Sequence, residues 1–243
     1  MLTGLLNRAW RWSTLGEARA FARAVRDPRG AQSRLLAQIL AAFGIFAVGY
    51  IMRPIGGVIV GHIGDRLGRR AALTFSVALP LPADLDLAGL SLAVGCAVAD
   101  ALDPAGTRLQ LKWPNDLFLD GAKLGGILIE TAALPSGERG VVIGIGLNLQ
   151  PLPADADRNA YRSGHAALQT LDPAATATAA LDRLVPALRA MLADFQNLGF
   201  AAWQAAFARR DLTAGQKVRV GEQVGIARGV SARGELLLET PAG

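Results

Sequence analysis

The window of residues 108–130, RLQLKWPNDLFLDGAKLGGILIE, constrains the fold more than any other part of the chain. Short apolar runs alternate there with a polar cluster at 112–116, an Asp-Gly pair at 120–121 and a glycine pair at 125–126. Short apolar runs bounded by Asp and Gly are typical of β-strands joined by tight turns. The window therefore predicts three consecutive strands.

The lysines of the chain are concentrated in this window. The chain has only three, Lys112, Lys123 and Lys217, and two of them lie here. Lysine is a compact point charge, which arginine is not, so we interpret Lys112 and Lys123 as candidate functional cations. Either one taken alone is more often a solvated lysine at a strand end, and only the combined motif favours a functional role.

The pattern of apolar residues predicts the elements on both sides of the window. Strands are expected at 73–79, 109–113, 117–119, 125–130, 141–147, 217–220, 224–230 and 235–239, and helices at 85–102, 174–196 and 200–209. A Pro- and Asp-rich loop is expected over 150–172. The prediction is an α/β (α+β) domain with a mixed β-sheet, followed by a small C-terminal β module.

Three motifs in this region resemble the biotin–protein ligases, the enzymes that load biotin onto carboxylase carrier proteins. The hallmark K-W-P-N-D-L occurs at 112–117, K-L-x-G-I-L-x-E at 123–130, and I-G-x-G-x-N at 143–148. The resemblance extends from about Leu73 to the end of the chain. It implies the ligase catalytic fold, with an SH3-like β-barrel at the C-terminus.

The resemblance also implies a chemistry. Biotin is first activated by ATP and Mg²⁺ to biotinyl-AMP, and the biotinyl group is then transferred to a lysine of the biotin carboxyl carrier protein of acetyl-CoA carboxylase. Biotin's carboxylate and the triphosphate repel each other, so such a site needs fixed cations and backbone N–H donors at the reacting phosphate.

We assign roles to the motif residues on that basis. Lys123 is expected to reach the biotin carboxylate and the α-phosphate, and Lys112 to add positive potential. Asp116 is a candidate Mg²⁺ ligand, since Mg²⁺ usually takes one or two carboxylates plus phosphate. The expected biotin and ATP contacts are Asn115, Asp116, Gly125, Gly126, Gly144, Gly146 and Asn148. The alternatives are a simple turn at 115–116 and strand bulges at the paired glycines.

The upstream part of the chain resembles a different family. Residues 35–52 are an apolar run interrupted only by Gln38, just long enough to span a bilayer as a helix. The stretch GDRLGRR at 64–70 is similar to the loop between the second and third membrane helices of major facilitator transporters. Residues 1–34 match neither family and are predicted to form an Arg-rich helical segment.

The chain is therefore interpreted as a chimeric sequence with four parts. These are an unassigned helical segment (1–34), a transporter-like segment (35–72), a partial ligase catalytic domain (73–210) and a truncated C-terminal β-barrel (211–243). The ligase loop G-R-G-R-x-G-R is not intact, and only R-L-G-R at 66–69 imitates it. We therefore expect impaired ligase activity. The alternative is a transporter fragment fused to a non-catalytic ligase remnant.

The charge and cysteine content limit the kinds of partner and the cellular location that we expect for this chain. The net charge of +5 comes largely from arginines in the first 70 residues, and we interpret these arginines as flanking a membrane segment. No basic patch interleaved with aromatic residues suggests nucleic-acid binding. The single Cys96 excludes an intramolecular disulfide and is compatible with a reducing cytoplasm. The expected location is cytoplasmic, with membrane association through residues 35–60 as the alternative.

Overall fold

The computed structural model describes residues 72–153, 156 and 161–240. The predictions for the Arg-rich first segment, the apolar run and the transporter-like loop, together with the partial R-L-G-R loop, lie outside the described residues.

A five-stranded sheet forms the centre of the described structure. Its spatial order is β1-β5-β4-β3-β2, and every neighbouring pair is antiparallel. The strands are β1 (Ala72–Leu81), β2 (Leu109–Lys112), β3 (Asp116–Leu119), β4 (Ala122–Ala133) and β5 (Arg139–Asn148). The three strands predicted from the central window are confirmed, and they occupy consecutive positions in the sheet.

Helices cover one face of this sheet. They are α1 (Leu90–Leu102), α2 (Leu168–Leu171), α3 (Ala177–Leu198) and α4 (Gln204–Ala208), with a 3₁₀ turn at Phe200–Trp203. The helix α1 is apolar all round, and most of its residues are buried. A helix of that composition belongs inside a core, and α1 lies between the sheet and α3.

The two faces of the sheet differ because side chains alternate along each strand. One row across the sheet points into the core and contains Leu73, Leu147, Gly125, Leu117 and Leu111. The row displaced by one residue points the other way and contains Thr74, Gly146, Gly126, Asp116 and Lys112. The motif residues of this second row therefore share the face opposite the core.

A separate three-stranded antiparallel sheet follows at the C-terminal end. It consists of β6 (Lys217–Val220), β7 (Gln223–Val230) and β8 (Leu236–Glu239), in the order β6-β7-β8. The connecting segment is hydrogen-bonded to β2. The Leu111 N–H donates to the Arg210 carbonyl at 2.8 Å, and the Leu212 N–H donates to the Leu111 carbonyl at 2.9 Å. This connection extends the large sheet beyond β2 with a short parallel bridge at Asp211.

Arg210 fixes that connection from inside the protein. Its side chain is 6% exposed and forms ion pairs with Asp100 at 2.9 Å and Asp103 at 3.4 Å. It also donates to the carbonyls of Leu109 at 3.0 Å and Asp103 at 2.7 Å. A buried guanidinium is tolerated only when its donors are satisfied, and here they join the end of α1 to the start of β2.

Asp103 is held in its charged form. Burial raises the pKa of this carboxyl group, but the backbone N–H groups of Leu109 and Arg108, together with the Arg210 guanidinium, outweigh burial and lower it below 3.8. Both N–H groups donate to the same carboxylate oxygen at 2.9 Å. The C-terminal end of α1, β2 and the connection to the second sheet thus meet at one buried ion pair.

The largest difference from the sequence prediction is at the start of α1. The helix begins at Leu90 rather than at residue 85, because Gly89 has a φ of 75° that an α-helix cannot continue through. The preceding residues form turns instead, with the Leu85 N–H donating to the Pro82 carbonyl and the Ala88 N–H to the Asp86 carboxylate. The other predicted strands and the helix at 174–196 are present, with ends displaced by a few residues. The helix predicted at 200–209 is a 3₁₀ turn followed by α4, and α2 lies within the loop predicted over 150–172.

Replacing Asp103 with Asn should lower the free energy of unfolding by roughly 1–3 kcal/mol at neutral pH, because hydrogen bonds to a buried charge are lost. The folded pKa lies below 3.8, so this stability is present above that value and is lost as the pH falls through the folded pKa. Urea unfolding of wild type and Asp103→Asn from pH 7 to pH 2 should therefore show two curves that converge in acid. Asp84→Asn, at an exposed carboxylate, is the control and should follow wild type. A constant difference at all pH values would contradict the ionic origin.

Candidate functional site

An ion pair between Lys123 and Asp116 lies at the edge of the open face. The Lys123 Nζ is 2.6 Å from the Asp116 Oδ1, and the two side chains are 42% and 25% exposed. A register shift between Leu117 and Phe118 puts Phe118 opposite Lys123 while Asp116 stays opposite Gly126. This bulge brings the start of β4 within reach of the start of β3 and holds the ammonium group over the open face.

Lys112 lies on the other side of the same carboxylate. It is the cross-strand partner of Asp116 in the β2–β3 ladder. Its Nζ is 5.4 Å from the centre of the Phe118 ring, within the range of a cation–π contact. Two of the three lysines of the chain therefore flank one aspartate, which leaves this group with a net positive charge, whereas Lys217 is on β6 of the other sheet.

Asn115, which lies between Lys112 and Asp116 in the sequence, is hydrogen-bonded to β4. The Asn115 side-chain amide donates to the Ile127 carbonyl at 2.8 Å, and the Ile127 N–H donates to the Asn115 carbonyl at 2.9 Å. This reciprocal pair fixes the loop in front of β3. Asn115 therefore has a structural role in holding this loop. Its contact with a ligand stays a prediction.

The side chain of Asn148 is hydrogen-bonded to the backbone at Lys123. Its side-chain amide donates to the carbonyls of Lys123 at 3.3 Å and Ala166 at 3.0 Å. The Lys123 N–H in turn donates to Ser163, and the Ala166 N–H donates to Lys123. The backbone at Lys123 is therefore clasped between β5 and the 163–166 segment, which fixes the point from which its side chain extends.

The four motif glycines separate into two kinds. Gly125 lies in the core-facing row, and a Cβ added there would collide with the Gly146 carbonyl oxygen, so glycine is needed for the close approach of β4 and β5. Gly126, Gly144 and Gly146 face the open side. An added Cβ would lie 3.4 Å from the Asp116 carboxylate at Gly126, 3.6 Å from a backbone oxygen at Gly144, and more than 4 Å from any atom at Gly146.

The open face includes residues that the sequence motifs did not identify. Leu128, between the glycine rows, is 55% exposed. Thr74 and Ser76 on β1 are exposed and are the cross-strand partners of Gly146 and Gly144. The alternation of β1 around its buried Leu73 could have indicated both hydroxyl residues. A flat floor of backbone with one exposed Leu, two hydroxyls at one side and two lysines at the other suits a ligand with an apolar body and an anionic end.

Two cavities among the described residues, both partly open to solvent, are too small to hold a ligand of that kind. One, of about 20 Å³, lies beneath α3 and is lined by residues such as Leu102 and Leu168. Another, of about 10 Å³, lies behind the site loop between α1 and Asn115. Each has room for about one water molecule. The candidate site is therefore the open face of the sheet.

Two further side chains of the described residues with shifted pKa values, Cys96 and His165, lie outside the motifs. Cys96 is fully buried on α1, and burial is the main cause that raises the pKa of its thiol to about 12. Burial also lowers the pKa of the His165 imidazole from its ordinary value. Among the described residues, no group of three or more His, Cys, Asp or Glu side chains could hold a metal ion. None of the helices in the described ranges is long and apolar enough to cross a membrane.

Comparison with known proteins agrees with the motifs. A sequence model of the Biotin/lipoate A/B protein ligase family matches residues 60–148. The biotin–[acetyl-CoA-carboxylase] ligase of Paracoccus denitrificans is 33% identical over 216 residues, which cover 82% of this chain and 76% of that protein. The chain belongs to the biotin–protein ligase family. The family match begins at residue 60, upstream of the boundary expected at residue 73.

Other ligases match a shorter part of the chain. The bifunctional ligase/repressor BirA of Escherichia coli is 31% identical over 156 residues, covering 62% of this chain and 48% of that protein. The biotin–[acetyl-CoA-carboxylase] ligase of Mycobacterium tuberculosis is 38% identical over 159 residues, covering 62% of this chain and 56% of that protein. The chain thus spans about half the length of these two relatives.

Structural comparison supports the fold. The crystal structure of biotin protein ligase from Aquifex aeolicus superposes with a TM-score of 0.60 at 24% identity, covering 74% of this chain and 80% of that one.

A transporter sequence also matches a short part of the chain. The shikimate transporter of Escherichia coli is 60% identical over 38 residues, which are 16% of this chain and 9% of the transporter.

Two alanine substitutions should separate the two kinds of glycine. Gly125→Ala should lower the free energy of unfolding by about 1–3 kcal/mol, because a methyl group forces β4 and β5 apart. Gly146→Ala adds the same methyl group where no atom lies within 4 Å, so its stability should equal that of wild type. Chemical denaturation of both proteins measures the difference, and equal stabilities would contradict the close approach at Gly125.

Proposed function

We propose that this chain acts as a biotin–[acetyl-CoA-carboxylase] ligase, which activates biotin with ATP to biotinyl-AMP and transfers the biotinyl group to a lysine of a carrier protein. The observation that carries the proposal is the Lys123–Asp116 pair, fixed at 2.6 Å at the edge of a glycine-floored open face. The Paracoccus relative with this activity in its name aligns with 82% of the chain.

We place the ring system of biotin on the open face. Gly126 and Gly146 carry no side chain there, so a flat bicyclic ligand can rest directly on the β4 and β5 backbones. Leu128 offers apolar contact to the ligand body, and the exposed hydroxyls of Thr74 and Ser76 suit the polar ureido edge. The anionic end of the ligand is then directed towards the two lysines.

The first reaction step forms the mixed anhydride. A carboxylate oxygen of biotin attacks the α-phosphorus of ATP, the new O–P bond forms, and the bond to the β-phosphate breaks with release of pyrophosphate. Negative charge accumulates on the α-phosphate oxygens during this step. We propose that the Lys123 ammonium stabilises that charge and that Lys112 adds positive potential from β2. Both act from fixed positions, so little reorganisation is needed when the charge develops.

In the second step the amine of the carrier lysine attacks the carbonyl of biotinyl-AMP. An amide bond forms, AMP leaves, and the amine loses a proton. We propose the biotin carboxyl carrier protein of acetyl-CoA carboxylase as the acceptor, and the cytoplasm, where ATP is available, as the location. We propose residues 73–210 as the catalytic domain and residues 211–243 as the C-terminal β module.

Magnesium fits this arrangement only as a companion of the nucleotide. Asp116 was expected to ligate Mg²⁺, but its Oδ1 is already 2.6 Å from the Lys123 ammonium, which repels a cation at that oxygen. The described residues supply no cluster that would hold the ion without phosphate. The site therefore does not fit a resident Mg²⁺ ion, and no step is assigned to one.

We expect the ligase activity to be weak, because residues 1–72 contain no intact G-R-G-R-x-G-R loop. The transporter-fragment alternative has less support, because its match covers only 16% of this chain and 9% of a transporter.

Replacing Lys123 with Ala should reduce biotinyl-AMP formation by about 10²–10³-fold, because one preorganised charge at the reacting phosphate is lost. The measurement is pyrophosphate release from radiolabelled ATP in the presence of biotin. Lys217→Ala removes a lysine from the other sheet and should keep the wild-type rate. Equal rates in the two variants would remove Lys123 from the mechanism.

Biotin binding should depend on the free space above Gly146. Gly146→Ala is expected to weaken biotin binding by roughly 10- to 100-fold, because its methyl group rises from the surface on which the ligand rests. Isothermal titration with biotin alone measures the effect without requiring catalysis. Thr131→Ala, at an exposed position farther along β4, provides the comparison. Unchanged affinity in Gly146→Ala would place biotin elsewhere.

A further inference from the structure

A hydrogen bond connects the site loop to the C-terminal sheet. The indole Nε1–H of Trp113 donates to the Gly234 carbonyl at 3.0 Å, across 121 positions of sequence. Trp113 directly follows Lys112 and is half-buried. Gly234 lies in the turn between β7 and β8. Within the described residues, this is the one hydrogen bond between that turn and the 112–116 loop.

The turn that receives this bond is itself well fixed. The Ser231 N–H donates to the Glu235 carbonyl at 2.8 Å, and the Ser231 hydroxyl donates to the Glu235 carboxylate at 2.9 Å. Gly234 has a φ of 79°, and a Cβ added there would lie 2.7 Å from the Cα of Gly89 at the start of α1. The turn is thus seated closely against the main domain, and it presents its carbonyl at a defined position.

The loop is also held on its other side. The Ser91 hydroxyl in the first turn of α1 donates to the Pro114 carbonyl at 3.0 Å. The next residue, Asn115, is locked to Ile127 of β4, and Asp116 follows with its ion pair to Lys123. These contacts follow one another along the chain, and together they fix the path of the loop up to the carboxylate that pairs with Lys123.

We propose that Trp113 is a positioning residue through which the C-terminal sheet sets the geometry of the Lys123–Asp116 pair. The inference rests on the proposed function for its kinetic consequence, but its structural part does not. The indole is not proposed to touch the reacting groups. Its N–H keeps the loop in the register from which Asp116 orients the ammonium group.

The test is Trp113→Phe, which keeps an aromatic ring in the core contact and removes the N–H donor. Loss of one such bond should lower kcat for biotinyl-AMP formation about five- to tenfold while the KM for biotin changes little, because the Lys123 charge acts mainly in the transition state. In a Lys123→Ala background the same substitution should cause no further loss. A similar fall in both kcat and affinity, or an additive loss in that background, would overturn the proposal.

Trp203→Phe is the matched control. The indole Nε1 of Trp203 is buried without a hydrogen-bond partner, so the same exchange of side chains removes no bond. This variant should keep the wild-type kcat.

A second variant changes the turn that accepts the Trp113 hydrogen bond, since Gly234→Ala displaces this turn from Gly89. It should lower kcat as Trp113→Phe does, and the double variant should be no slower than the slower single variant.

Hydrogen exchange tests the structural part without any catalysis. The Ile127 N–H reports directly on the loop, because it donates to the Asn115 carbonyl at 2.9 Å. In Trp113→Phe it should exchange about five- to tenfold faster than in wild type, and in Trp203→Phe at the wild-type rate. Equal exchange in both variants would refute the positioning role. If exchange changes as expected but no protein forms biotinyl-AMP, the proposed function fails and the positioning stands.

Discussion

The buried guanidinium of Arg210 is the interaction on which the arrangement of the described structure depends. It reaches the end of α1 through Asp100 and Asp103 and the start of β2 through the Leu109 carbonyl. Its own backbone carbonyl accepts from Leu111. A charge so deeply buried is costly unless every donor is paired, so the surrounding groups have little freedom to move. The strand β2 leads directly from this point into the site loop, and the second sheet leaves from it in the other direction.

The site itself follows from the alternation of side chains in an antiparallel sheet. Leucines in one row fill the core, while the next residue on each strand supplies the open face with its glycines and charges. The bulge after Leu117 then brings Lys123 back to Asp116. The main chain at Lys123 is clasped by Asn148, so a flexible side chain starts from a rigid point. Most of the preorganisation needed to stabilise charge therefore comes from backbone contacts.

The sequence alone predicted much of this fold, because apolar periodicity and turn residues are local signals. It predicted the three strands of the central window and the long helix before residue 198, and its motifs indicated the family. It could not show that Lys123 returns to the same face as Asp116, because a bulge changes the register without an obvious local signature. The side-chain hydrogen bonds of Asn115, Asn148 and Trp113 were not predicted either, because their partners are determined only by the tertiary fold. Thr74 and Ser76 lie outside the motifs. Alternation along β1 could indicate that they share a face, but only the fold shows that they lie beside the glycines of β5.

The burial of Cys96 has a practical consequence for anyone who works with this protein. It is the single cysteine of the chain, it is fully covered, and its thiol has a pKa of about 12. Thiolate is the species that alkylating reagents attack, so the native protein should be nearly inert to maleimides at neutral pH. A cysteine introduced at an exposed position would then be the one reactive handle on the folded molecule. Fluorophores or spin labels could be attached there without first removing the natural thiol from its place among the core residues of α1.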